Sequence, residues 1–115
     1  MSELAAVTDR AIAALAAHAS LDVPFWREHF ASKGLAPNAI RTAADLPRLG
    51  VMDKPLIRRE GRRLVADSMS KRLFTLATGG SGGEPLVFWT DKVREASQLA
   101  CKLRARAWWG IRIGD

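Results

Sequence analysis

The chain has 115 residues, 48% of them hydrophobic and 26% charged, which is enough for one modest core and too little for a large enzyme. Its net charge of +6 comes from the second half, because residues 1–50 hold five Lys/Arg against five Asp/Glu and residues 51–115 hold thirteen against seven. A lone Cys101 excludes an internal disulfide, and the longest apolar run, Ala11 to Ala17, falls short of the roughly 20 residues that a membrane span needs.

Glu3 and Asp9 stand where a signal peptide is basic or apolar, so the expected compartment is the cytoplasm. Leu4, Val7, Ala11, Ile12 and Leu15 recur at helical spacing and predict an alanine-rich amphipathic helix ending near His18. Asp22 as cap, Pro24 at the first helical position and Gly34 at the end predict a second helix, with Phe25, Trp26 and Phe30 on its buried face. Thr42 and Asp45 resemble a capping box around a very short helix that Pro47 stops. Asp53 caps a basic helix running through Leu56, Ile57, Leu64 and Val65, interrupted or weakened at Gly61.

Near residue 72 the composition changes. Leu73–Ala77 and Leu86–Thr90 are short β-compatible runs around a glycine-dominated loop, Thr78–Pro85. Asp91 then caps a helix through Val93, Ala96, Ala100, Leu103 and Ala107, which reaches Trp108 or Trp109 and ends at Gly110. The expected fold is α/β, with a helical segment over 1–72 and a glycine-loop hairpin and helix over 73–115.

The loop carries the chemistry. Thr78-Gly79-Gly80-Ser81-Gly82-Gly83-Glu84-Pro85 holds four glycines and two hydroxyls, so its backbone N–H groups can turn to one side and approach an anion closely. No lysine follows the glycines, which excludes a GxxxxGK[ST] loop, and the loop enters a strand rather than a helix, which excludes a dinucleotide fingerprint. Both a plain hairpin turn and a phosphate cradle satisfy this composition.

The loop and the strand after it, Leu86-Val87-Phe88-Trp89-Thr90-Asp91, resemble those of the adenylate-forming superfamily, in its branch of phenylacetate-coenzyme A ligases and capsular polysaccharide biosynthesis proteins. Val23-Pro24-Phe25-Trp26-Arg27 is similar to that branch's Pro-aromatic-aromatic-Arg signature. Asp45-Leu46-Pro47-Arg48-Leu49 with Lys54, then Trp109-Gly110 and Gly114-Asp115, follow in the family's order. The resemblance implies that Thr78, Gly79, Gly80, Ser81, Gly82 and Gly83 hold the β- and γ-phosphates of ATP with Mg²⁺. A carboxylate substrate would attack the α-phosphate, and a thiol, usually that of coenzyme A, would then take the acyl group. Where the family usually has a hydroxyl residue this chain has Gly82, so the side-chain contacts fall to Thr78 and Ser81. The family's nucleotide-holding aspartate and arginine and its lid lysine have no counterpart in these residues. The resemblance therefore implies the N-terminal fragment of a ligase, inactive alone.

The alternative is a small basic module that binds nucleic acid or an acidic protein. Arg58, Arg59, Arg62 and Arg63 would line one helical side, but without interleaved aromatics a solvated face is the favoured reading, as it is for the scattered Lys102, Arg104 and Arg106. His18 and His29 lack metal-ligand spacing and read as surface or capping histidines. Cys101 reads as a buried or half-buried thiol. The tryptophans Trp26, Trp89, Trp108 and Trp109 read as core or interface, the last two partly exposed, and Glu84 has no assigned role.

Overall fold

Ser2 opens the first helix: its hydroxyl accepts the Ala5 N–H at 3.1 Å, and the alanine-rich stretch behind it folds as α1, Glu3–Asp22. This computed structural model describes residues 2–79 and 83–114 of the chain, which divides into two compact units meeting in sequence between Lys71 and Arg72. The chain is mixed helix and sheet.

In the first unit α1 runs past the expected end at His18. Alanine and leucine keep the helix going until Val23, which is extended (φ −105°, ψ 118°) because the ring of Pro24 disfavours a helical residue before it. α2, Pro24–Ser32, follows directly, with Val23 and not Asp22 in the capping position. The buried side of α1 also differs from the expected one. Leu4, Val7 and Leu15 are exposed, whereas Ala16 and Ser20 are buried and Ile12 is half-buried. Alanine lies on every side of this helix, so hydrophobicity alone does not choose a face, and the small side chains end up where α2 packs. By length and composition α1 is apolar enough to cross a membrane, with a mean hydropathy of 1.2 in its best window.

Gly34 ends α2 with φ +65°, which lets Gly34 N–H reach Ala31 O and Leu35 N–H reach Phe30 O, a Schellman closure. The chain then returns through Ile40 to a 3-10 helix, η1, Ala43–Leu49. Pro47 lies inside η1 and does not stop it: proline's fixed φ suits a 3-10 turn, and the element ends at Gly50, φ +79°. Ala16, Phe30 and Ile40 form the core, with Ile12, Trp26, Leu35 and Leu49 packed against it. Ile40, at 0% exposure, is worth about 1.5–3 kcal/mol of burial.

Asp53 caps α3, Lys54–Glu60, by accepting the Leu56 N–H at 2.8 Å. At Gly61, φ +49°, the basic segment breaks into η2, Gly61–Leu64. Arg58 and Arg59 therefore lie in α3 and Arg62 and Arg63 in η2, with the interruption at Gly61 that the sequence predicts. A last 3-10 turn, η3, spans Asp67–Met69.

The second unit is a hairpin followed by a helix. β1, Phe74–Ala77, pairs antiparallel with β2, Val87–Thr90, in the register Phe74 with Thr90 through Ala77 with Val87. Asp91 accepts the Arg94 N–H at 2.8 Å and starts α4, Lys92–Ala107. No residue of α4 is buried, so Cys101 is exposed and not the half-buried thiol expected from its neighbours.

Candidate functional site

Thr78 closes the base of the glycine loop twice. Its backbone N–H donates to Leu86 O at 3.0 Å, and its Oγ1 accepts the Leu86 N–H at 2.9 Å. The strand ladder is thereby extended by one residue pair beyond Ala77 and Val87. Because the hydroxyl oxygen is used as an acceptor, its hydrogen stays available to a ligand. Thr78, Gly79 and Gly83 are exposed.

Gly83 sits at φ +128°, a conformation that side chains rarely adopt, so glycine is required there by the backbone itself. At Gly79, past the end of β1, a Cβ would meet no atom within 4 Å, as at every other described glycine. Gly80, Ser81 and Gly82, the remaining expected phosphate contacts, lie outside the described residues. Among the described residues no three His, Cys, Asp or Glu side chains converge.

The other residues singled out in the sequence have local partners. Arg27, from the Pro-aromatic-aromatic-Arg stretch, donates to Leu21 O at 3.0 Å and to Asp67 Oδ2 at 3.0 Å, bridging the end of α1 to η3. Beside it, Asp22 accepts hydrogen bonds from the Ser68 backbone and hydroxyl, and the Ser68 hydroxyl holds its carboxyl below the ordinary value. These ties span 40 and 46 residues, and no local sequence signal announces them.

Of the two roles expected of it, surface or capping, His29 takes the second, at the end of η1. It is half-buried, stacked on Phe25 and edge-on to Trp26, with Nε2 2.6 Å from Leu49 O, a carbonyl to which it must donate. His18 is exposed, 3.7 Å from Asp22. Asp45 accepts the backbone N–H groups of Arg41 and Thr42, and these bonds hold its carboxyl below the ordinary value. The Asp-Leu-Pro segment is thus fixed by its own aspartate.

Arg63 contacts Glu28 at 2.5 Å and Glu60 at 2.9 Å, with the Glu28 hydrogen bond raising its pKa, and Arg59 pairs with Glu60 at 3.4 Å. Arg59 and Arg63 are thus committed to carboxylates inside the first unit. In that unit an apolar hollow of about 500 Å³ is lined by Ile12, Leu15, Trp26, Phe30, Leu46 and Leu49 among others. Trp89 is half-buried in β2, and Trp108 and Trp109 are exposed.

Comparison with protein-family models and with curated proteins finds no match to this chain.

Proposed function

We propose that the chain is the N-terminal, phosphate-loop-bearing part of a cytoplasmic, ATP-dependent acyl-adenylate-forming ligase, its second unit being the start of an adenylation domain. The observation that carries this reading is the loop base: a Thr-Gly-Gly-Ser-Gly-Gly run closed by Thr78 on Leu86 and glycine-dependent at Gly83. A hairpin needs only a two- to five-residue turn, so a longer loop with its base pinned by a side chain is better suited to surrounding a ligand.

In this role the hydroxyls of Thr78 and Ser81 and the loop's N–H groups hold the terminal phosphates of MgATP. A substrate carboxylate attacks the α-phosphorus and pyrophosphate leaves, giving an acyl adenylate; a thiol such as that of coenzyme A then takes the acyl group and AMP departs. The loop's contribution is positioning and charge stabilisation. Adenine, ribose and acyl contacts belong to residues beyond those of this chain.

Binding of MgATP to the purified chain tests the loop, with Ser81→Ala expected to weaken it roughly tenfold, as loss of a hydrogen bond to a charged group does. Saturable binding indifferent to both Ser81→Ala and Thr78→Val removes the loop from the site. The fragment reading is tested separately, by immunoblot of source cells with an antibody to this segment. A band several times heavier than the chain is expected, and a band only at the chain's own size overturns it.

The alternative of a nucleic-acid or acidic-protein module rests on the arginine cluster. The carboxylate partners of Arg59 and Arg63 count against it.

A further inference from the structure

Leu64, Val65 and Ala66 form a short strap in the first unit, leaving η2 with Val65 and Ala66 extended (ψ 135° and 132°). The strap is tied at both ends. Before it, Arg63 meets Glu28 of α2 at 2.5 Å. After it, Asp67 accepts from Arg27 at 3.0 Å, and Ser68 donates to the Asp22 carboxylate through its backbone at 3.3 Å and through its hydroxyl.

Leu64 and Ala66 of the strap line the hollow of about 500 Å³, whose other lining residues come from α1, α2, η1 and Val23 between the first two. Its volume lies within the roughly 300–1,000 Å³ of small-molecule sites. Every lining residue except His18 is hydrophobic, and His18 has its Nε2 3.7 Å from Asp22. Water in such a space finds few hydrogen-bond partners. An anion there would lose its hydration close to the Asp22 carboxylate, and with Ser68 and His18 already on that carboxylate a cation gains no free counter-ion.

We propose that the hollow binds a neutral, mainly hydrocarbon small molecule and that the tied strap holds it in place. Trp26 and Phe30 in the lining offer ring contacts to an aromatic occupant, and the aliphatic residues beside them accept a chain equally well. The lining and its ties fall within residues 12–68, so the site is assembled inside the first unit. The inference is independent of the phosphate loop.

Titration of the 115-residue chain with N-phenylnaphthylamine, a neutral probe that brightens on leaving water, tests it. Saturable binding of one probe per chain is expected, with displacement by decanol. Decanoate, of the same length but charged, should displace the probe at least about tenfold less well. Ala19→Phe and Ala66→Phe fill the hollow from α1 and from the strap, and each should weaken binding at least about tenfold. Ala31→Phe, on α2 but outside the lining, should leave it within about twofold. Arg27→Ala with Ser68→Ala cuts the ties after Ala66 and should speed probe release about threefold in stopped flow. Circular dichroism checks that each variant keeps the fold, and the parent chain with its two competitors needs no variant at all. Absence of saturable binding to the parent chain, or decanoate displacing the probe as well as decanol, overturns the proposal. So does binding indifferent to both filling variants, and release unchanged in the double variant removes the strap from the site.

Discussion

Thr78 and Leu86 are joined by two hydrogen bonds, one through the Thr78 backbone and one through its hydroxyl, so a side chain and not only a strand ladder sets the mouth of the glycine loop. Thr78→Val keeps the shape and the backbone bond but leaves the Leu86 N–H to water. Because that group is near the surface, the expected cost is about 0.5 kcal/mol, while Thr78→Ser is nearly neutral. The measurement is amide hydrogen exchange at Leu86: faster in Thr78→Val, unchanged in Thr78→Ser. Equal protection in all three forms removes the hydroxyl from the loop's closure.

Gly79 and Gly83 look alike in sequence and differ in the fold. Gly83→Ala forces a side chain onto φ +128° and should cost about 1–3 kcal/mol of local stability. Gly79→Ala meets open space at a backbone angle that alanine accepts, and should be neutral or slightly stabilising. Exchange of the Thr78 amide reports both. If Gly79→Ala loosens the hairpin as much as Gly83→Ala does, the distinction fails.

In the first unit Ile40 is the most buried large side chain, closing the core against Ala16 and Phe30. Ile40→Ala should cost about 2–4 kcal/mol by lost burial and a residual cavity, a large share of the stability of a unit this size. Arg27→Lys, at an exposed bridge, should cost under about 1 kcal/mol even though it breaks a two-ended contact. Urea unfolding followed by tryptophan fluorescence ranks the two. A reversed order would move the unit's stability from its core to its ion pairs.

The helices, the hairpin and their caps were legible in the sequence wherever a local rule governs them: Pro24 at a helix start, Gly34 and Gly110 at helix ends, Asp53 and Asp91 as caps. Departures occur where tertiary contact decides. Asp22 reads as a cap for α2, yet its partner is Ser68, 46 residues away, because Val23 takes the capping position and leaves the carboxylate facing η3. Leu15 reads as core and is exposed, since the choice among the alanine-rich faces of α1 is made by the fit of α2 against Ala16. For the candidate site, glycine spacing marks the loop, while the Thr78 closure depends on strand register and is visible only in three dimensions.

Acid should weaken the first unit through Asp22 and Asp45. Both carboxyls lie below their ordinary value of 3.8, Asp22 chiefly through the Ser68 hydroxyl and Asp45 chiefly through the Arg41 and Thr42 backbone N–H groups. A carboxyl whose pKa is lower in the folded than in the unfolded chain binds fewer protons when folded. Its contribution is therefore complete above the unfolded value and is lost as pH falls through the folded one. Stability should accordingly be flat with respect to these groups above about pH 5 and decline below about pH 4. Asp45→Asn should lower stability at neutral pH, since an amide is a weaker acceptor for two N–H donors, and should flatten the acid limb; Ser68→Ala should flatten the part due to Asp22. Urea midpoints measured across this range decide the matter. A limb equally steep in Asp45→Asn, Ser68→Ala and the parent chain would show that acid acts on other groups, and that these two aspartates hold their segments without linking the fold to protons.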